Sequence, residues 1–226
     1  MTPEIFSEPV LWWLGVVPIT PTMITSLVTS LLLLGLGALL ARAVVQRPTG
    51  ILAALGRMLY RFLHQLASDA IGRSSAPLEV FAGSLFLFIA ACAVLGQLPN
   101  VSAPTANLAA TSALAVIVFF AVPIVGIHAR GLRGYVAEYF KPNPLLFPLH
   151  IISEVSRTLA LALRLFGNMM SGHLVVGLIV ALVGMVVPVP LMALDLLIGL
   201  LQAYIFTILA SVYIGAAFQV EQGERT

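Results

Sequence analysis

Long uncharged stretches are the feature that most limits what this chain can fold into. No Asp, Glu, Lys or Arg occurs between Glu8 and Arg42, and none occurs from Val80 to Ile127. About 20 apolar residues are enough for a helix to cross a bilayer. Hydrophobic residues make up 60% of the sequence and charged residues 9%, whereas a soluble domain has roughly 25% charged residues. The sequence therefore predicts an all-α polytopic membrane protein.

The remaining composition argues against several other classes of function. A net charge of +2 is too small to indicate a nucleic-acid-binding protein. The single cysteine, Cys92, excludes an internal disulfide. The sequence predicts no metal site and no cofactor.

Breaks in the apolar runs divide residues 1–226, interpreted as a single membrane domain, into six predicted helical segments. Pro and Gly mark several of the boundaries, as in Pro48-Thr49-Gly50 and at Pro99. The predicted segments are a first span at about 20–45, an amphipathic helix at 51–71, a transmembrane hairpin at 77–97 and 105–128, and two long helices at 149–184 and 191–219.

Residues 51–71 differ from the spans because apolar and polar positions alternate with a helical period. Leu59 and Phe62 lie on one stripe, and Arg57 and Arg61 lie on another. This pattern is typical of a helix at the bilayer surface. A linker helix that packs on other subunits is the alternative interpretation.

Basic residues indicate the orientation of the chain in the membrane. Arg42 and Arg47 follow the first span, and Arg130 and Arg133 follow the hairpin, whereas the connection inside the hairpin has no basic residue. By the positive-inside rule both basic clusters face the cytoplasm, and the N-terminus lies outside.

The two final helices are too long to cross a membrane upright. At roughly 1.5 Å per residue, the stretch from Ser153 to Gly184 measures about 48 Å and that from Leu191 to Gln219 about 43 Å, whereas the hydrocarbon core of a bilayer is about 30 Å thick. Both helices are therefore predicted to tilt steeply.

Arg164 is the most unusual residue of the long helices, because apolar residues precede and follow it. A guanidinium stays charged at any physiological pH and is expensive at membrane depth, so an arginine in such a position indicates a functional site. The alternative is a residue near a helix end whose charge reaches the interface.

Other polar residues of these two helices fall in a regular register with Arg164. Facing residues of an antiparallel helical hairpin have numbers with a constant sum, and the sums for Arg164–Gln202 and His173–Asp195 are nearly equal. At about 100° per residue, Asn168 shares a face with Arg164, whereas His173 points about 180° away. We therefore expect the acid that serves Arg164 on another protein.

The His173–Asp195 pair is predicted to form a separate site that suits proton handling, since histidine changes protonation near neutral pH and such residues mark proton relays in membranes. A buried structural pair is the alternative for these two residues. A simple hydrogen bond between helices is the alternative for Gln202.

Two motifs resemble a known family. The segment 163–173 reads LRLFGNMMSGH and the segment 202–209 reads QAYIFTIL. Together with the order of the helices, they are similar to subunit a of F-type ATP synthases, over nearly the whole chain. The resemblance implies a non-catalytic membrane subunit whose two tilted helices lie against a rotating c-ring, with half-channels that reach the ring from opposite sides of the membrane.

The resemblance also implies roles for individual residues. Arg164 matches the arginine that faces the ion-binding carboxylate of the c-ring, and Asn168 and Gln202 match polar neighbours that support it. His173 and Asp195 match a pair that lines the outer half-channel.

Charged residues near the predicted cytoplasmic ends are open to two interpretations. Glu154 and Arg157 are candidates for the inner half-channel. A solvated interfacial role is the alternative for both of them and for Glu79.

The implied partners are the c-ring subunits, subunit b of the peripheral stalk and the lipid bilayer. Protons are the expected ion, and sodium is the alternative. The rival functions are a self-contained secondary transporter and a membrane scaffold that conducts no ions. The expected location is a bacterial inner membrane, and a mitochondrial inner membrane is the alternative.

Overall fold

The structure is a computed structural model that describes residues 12–14, 17–46, 49–71, 76–98, 103–139, 147–184 and 188–219. Within these ranges the chain forms six α-helices, one 3₁₀ turn and a short hairpin of two antiparallel strands. The elements are β1 (Trp12–Leu14), β2 (Val17–Ile19), α1 (Pro21–Gln46), α2 (Ile51–Ile71), α3 (Ala76–Leu95), the 3₁₀ turn (Pro104–Ala106), α4 (Leu108–Tyr139), α5 (Phe147–Val183) and α6 (Pro188–Gln219). The predicted all-α polytopic organisation is confirmed, and the N-terminal strand pair is a feature that the sequence patterns did not indicate.

Five helices of the described ranges are long and apolar enough to cross a membrane. They are α1, α3, the part of α4 up to His128, α5 and α6. α5 has 37 residues and α6 has 32; at roughly 1.5 Å per residue they are about 55 and 48 Å long. Both exceed the thickness of a bilayer core, about 30 Å.

Helices α3, α4, α5 and α6 share one hydrophobic core. Ile89 of α3, Val118 of α4, Leu165 of α5 and Phe206 of α6 are all completely or almost completely buried there. Small residues such as Ala203 let α6 approach its neighbours closely. This packing fixes α5 and α6 relative to α3.

Helix α1 contributes little to that core. Large apolar side chains, among them Leu31 and Leu34, are exposed on it. Exposed leucines on a helix of this length suit contact with lipid. Arg47, one of the basic residues after this span, lies outside the described residues.

The amphipathic helix α2 packs against α1, α3 and α6 of its own chain. Ala53 and Ala67 are fully buried in these contacts. A β-carbon on Gly83 of α3 would lie 3.5 Å from the Leu63 side chain, so α2 and α3 approach each other closely. The polar stripe of α2 therefore stays at the surface, while its small residues form the contact with the spans.

Two glycines with positive φ interrupt or end helices. Gly131, with φ of 75°, breaks α4 shortly after its membrane segment. Gly184, with φ of 87°, follows the last residue of α5 and donates its backbone N–H to the carbonyl of Val180 at 3.1 Å. Glycine adopts this left-handed conformation at little cost and is a common helix stop. Pro188 then begins α6, a position where its missing N–H is no loss.

Candidate functional site

Arg164 lies in the middle of α5 and its side chain is exposed. Its sequence neighbour Leu165 is completely buried, so the helix turns Arg164 away from the core. The exposed face around Arg164 carries the small residues Ala160, Gly167 and Ser171, each within about 60° of it at 100° per residue. Arg164 therefore lies on a surface that another helix can approach closely.

No acid of the described part of the chain forms an ion pair with Arg164. Glu79 pairs with His64, and the carboxylate of Asp195 accepts a hydrogen bond from Gln97. A charge at membrane depth without an internal partner is costly. That the counter-charge comes from another protein stays a prediction.

Gln202 of α6 is buried, with 5% of its surface exposed. Its side-chain nitrogen Nε2 has no hydrogen-bond partner among the described residues. An unsatisfied amide costs about 1–3 kcal/mol. Gln202 therefore carries a buried donor that is not used within the described part of the chain, near the level of Arg164 in the hairpin register.

Asn168 lies one turn beyond Arg164 and is half-buried. Its backbone carbonyl accepts a hydrogen bond from the Ser171 hydroxyl at 3.0 Å. Because Asn168 follows Arg164 by four residues, the two residues share a side of α5.

The register of the α5–α6 hairpin is visible in two close contacts. A β-carbon on Gly172 would overlap Oδ1 of Asp195, and a β-carbon on Gly199 would lie 3.2 Å from the terminal carbon of Met169. These contacts place His173, which follows Gly172, at the level of Asp195. The structure thus brings together the histidine and the acid that the register argument paired.

The environment of this pair includes a third element. Nε2 of Gln97 donates a hydrogen bond to Oδ2 of Asp195 at 2.9 Å. A β-carbon on Gly96 would lie 3.0 Å from Nε2 of His173. Gly96 and Gln97 belong to the turn that ends α3. We call the group Gly96, Gln97, Gly172, His173 and Asp195 the acid–histidine cluster.

The acid–histidine cluster is separate from Arg164. His173 lies about 13 Å farther along α5 at roughly 1.5 Å per residue. The described residues show no hydrogen bond between the side chains of His173 and Asp195, and the turn after α3 contacts both. Asp195 and His173 can therefore lie at one level of the hairpin without forming an ion pair with Arg164.

Charged groups also occur toward the other end of the hairpin. The guanidinium carbon of Arg157 lies 4.2 Å from the centre of the Tyr213 ring, a cation–π contact between α5 and α6. Glu154 is half-buried, and its backbone carbonyl accepts a hydrogen bond from Thr158 at 3.0 Å. Glu79 of α3 pairs with Nδ1 of His64 of α2 at 2.7 Å. The Glu79 side chain is only 12% exposed. Glu79 is therefore not a fully solvated residue of the interface.

Comparison with known proteins gives the family. The sequence model described as ATP synthase A chain matches residues 23–215. The chain belongs to the ATP synthase A chain family. The match contains Arg164 and Gln202 as well as His173, Asp195 and Gln97 of the acid–histidine cluster.

Bacterial relatives of the ATP synthase A chain family are similar over most of this chain. A protein of Bradyrhizobium sp. strain BTAi1 named "ATP synthase subunit a 2" is 43% identical over 93% of this chain and 94% of its own length. One of Chlorobium luteolum named "ATP synthase subunit a 1" is 41% identical over 93% of this chain and 95% of its own. One of Albidiferax ferrireducens named "ATP synthase subunit a" is 50% identical over 61% of this chain and 59% of its own.

Some residues of the site carried no recognisable signal in the sequence. Gln97 lies in a break between two spans, where a polar residue is ordinary. Gly96 and Gly172 matter because of what lies against them in space. Only the fold brings residues from α3, α5 and α6 together.

Proposed function

We propose that this member of the ATP synthase A chain family is the stationary ion channel of the membrane sector of a rotary ATP synthase. Two half-channels pass protons to and from the carboxylates of a c-ring and so couple ion flow to rotation. The observation that carries the proposal is Arg164: an exposed cation in the middle of a long apolar helix, without an ion-pair partner among the described residues.

The face that bears Arg164 suits a moving partner. Ala160 and Gly167 are small and exposed beside it, and small residues let helices approach closely. A c-ring carboxylate that arrives beside the guanidinium is attracted in its charged form. The carboxylate must release or bind its ion before it moves from Arg164 into the lipid. Arg164 therefore lies between two separate ion paths.

The acid–histidine cluster supports the outer of the two paths. His173 and Asp195 offer groups that can gain and lose a proton, about 13 Å from Arg164 along α5. Chains of Asp and His inside membranes commonly mark proton relays. In the hairpin register Asn168 lies between this cluster and Arg164, and Gln202 lies near the level of Arg164.

Glu154 and Arg157 support the inner path. They lie two to three turns before Arg164 on α5, toward the side that the basic residues assign to the cytoplasm. Arg157 is held against Tyr213 of α6. Residues 159–163, directly before Arg164, are all leucine or alanine, and this apolar stretch divides the inner from the outer groups.

The energetics require the two paths to stay separate. Moving one charge across 100 mV is worth about 2.3 kcal/mol, so several ions must be coupled to each ATP. A direct leak past Arg164 would dissipate this free energy. The chain itself performs no bond chemistry, and its partners are the c-ring, subunit b of the peripheral stalk and the bilayer.

Sodium is the alternative ion, because ion choice depends on the carboxylate site of the c-ring. A self-contained secondary transporter is the alternative of a different class. It needs a substrate site closed within one chain, whereas Arg164 faces outward. The bacterial relatives support a location in a bacterial inner membrane.

The test is Arg164→Ala in the assembled complex, with Arg42→Ala, an exposed arginine on α1, as the control. We expect Arg164→Ala to abolish ATP-driven proton pumping and ATP synthesis in membrane vesicles while the subunits remain assembled. Arg42→Ala should pump as the wild type does. Normal pumping by the Arg164→Ala complex would refute the proposed function.

A further inference from the structure

Gln97 occupies a defined position in the turn that follows α3. Its backbone N–H donates to the carbonyl of Val94 at 3.2 Å, and the N–H of Leu98 donates to the carbonyl of Leu95 at 3.0 Å. These bonds continue the helix end as a tight turn. The turn directs the Gln97 side chain toward α6, where its amide reaches Oδ2 of Asp195 at 2.9 Å.

The other sides of Asp195 are also restricted. Oδ1 lies against Gly172 of α5, where a side chain of any size would overlap it. The imidazole of His173 lies against Gly96, one residue before Gln97. The same turn therefore contacts the acid through a hydrogen bond and the imidazole through close packing.

The chemistry of an amide fits this place. The side chain of Gln97 carries no charge and does not titrate, so it cannot itself pass a proton along at neutral pH. Its N–H can donate to Oδ2 of Asp195 and so hold one oxygen of the carboxylate in place. A hydrogen bond between a neutral donor and a carboxylate is also stronger than one between two neutral groups.

We propose that Gln97 is a positioning residue of the outer ion path, which fixes the carboxylate of Asp195 beside His173. The inference rests on the proposed function, since it assigns Gln97 to the path that contains Asp195. It makes the turn that directly follows α3 a third wall of that path, in addition to α5 and α6.

The first test replaces the amide. Gln97→Leu removes the donor, and Gln65→Leu, an exposed glutamine of α2, is the control. Passive proton flux is measured in membranes stripped of the catalytic sector, with the amount of assembled subunit determined in the same membranes. We expect Gln97→Leu to lower the flux roughly three- to tenfold, the effect of one lost hydrogen bond, and the control to leave it unchanged.

The second test exchanges the two groups. Gln97→Glu with Asp195→Asn moves the carboxylate to the turn and the amide to α6, so the hydrogen bond can form with its direction reversed. We expect this double variant to recover part of the flux that Asp195→Asn alone loses. A side chain that merely fills space at position 97 would give no such rescue, and the test remains informative if Gln97→Leu assembles poorly.

The outcomes separate the inference from the proposed function. Loss of flux in Asp195→Asn together with wild-type flux in Gln97→Leu, or with no rescue by the double variant, overturns the role of Gln97 alone. Wild-type flux in Asp195→Asn removes Asp195 from the ion path, which overturns both the role of Gln97 and the proposed outer path through the acid–histidine cluster. Loss in each single variant with rescue in the double variant supports the inference.

Discussion

Gly172 of α5 lies so close to Asp195 of α6 that a β-carbon at position 172 would overlap the carboxylate oxygen Oδ1. The contact sets the register of the two long helices at the acid–histidine cluster. It also means that the position of the acid depends on the absence of a side chain on the facing helix.

Gly172→Ala should therefore displace the Asp195 carboxylate. Alanine favours a helix over glycine by about 1 kcal/mol, so α5 itself should not be weakened. Because misplacement of a reacting group by about 1 Å can cost on the order of 100-fold, we expect a reduction of roughly 10- to 100-fold in proton flux. ATP-driven quenching of a pH-sensitive dye in vesicles measures this flux.

Gly177→Ala is the matched control on the same helix, because nothing lies within 4 Å of a β-carbon at that position. It should assemble and conduct as the wild type does. Equal flux in the Gly172 and Gly177 variants would show that the position of Asp195 does not limit ion movement.

Gln202 allows stability to be separated from function. Its Nε2 is buried and has no hydrogen-bond partner among the described residues, so Gln202→Leu removes an unsatisfied group that costs about 1–3 kcal/mol. We expect the thermal stability of the purified complex to stay the same or rise, while ATP-driven pumping falls because Arg164 loses a polar neighbour. Aggregation temperature and dye quenching are the two measurements.

Thr207→Val is the control for this experiment. The hydroxyl of Thr207 is also buried and unpartnered within the described part of the chain, but it lies farther along α6. Its replacement should affect stability in the same direction and leave pumping intact. A parallel loss of stability and pumping in Gln202→Leu would instead identify Gln202 as a structural hydrogen-bonding residue.

The class of fold and a set of candidate site residues could be predicted from the sequence for a physical reason. Long uncharged runs directly indicate membrane-spanning helices, and an arginine such as Arg164 is easily recognised among leucines. The pairing of His173 with Asp195 followed from helical register, which depends only on numbering. These signals are local or periodic, so no tertiary information was needed.

Other features depend on contacts that no local pattern contains. Gln97 reaches Asp195 across nearly half of the chain, and His64 reaches Glu79 from a different helix. In the sequence Glu79 resembles an ordinary interfacial acid, and only the packing of α2 against α3 gives it His64 as a partner. A turn glutamine and two glycines are common residues, and only packing gives them a specific role.

The ion pair between His64 and Glu79 should contribute little free energy by itself. Its nitrogen–oxygen distance is 2.7 Å, but the His64 side chain is 42% exposed, and exposed pairs contribute about 0–1 kcal/mol. A double-mutant cycle with His64→Leu and Glu79→Gln should therefore give a coupling free energy within that range. Denaturation of the solubilised complex followed by circular dichroism measures it.

Glu79→Gln alone should cost more than His64→Leu, because the Glu79 side chain is the more buried partner and makes interactions beyond this pair. A coupling above about 2 kcal/mol would contradict the view that solvent screens this pair. Loss of proton pumping in Glu79→Gln without loss of stability would place Glu79 in the inner ion path.

Gly167 offers a test of the surface that Arg164 occupies. Nothing lies within 4 Å of a β-carbon at Gly167 or at Gly177, and both glycines are exposed, so both positions are open to a larger side chain in the isolated chain. Gly167 lies within about 60° of Arg164 around the helix, whereas Gly177 points about 140° away.

If a c-ring helix packs against the arginine face, Gly167→Leu overfills that interface at a cost of about 1–3 kcal/mol. We expect Gly167→Leu to reduce copurification of the c-ring or ATP-driven pumping, and Gly177→Leu to affect neither. Wild-type behaviour of both variants would mean that the partner of Arg164 approaches from another side of α5.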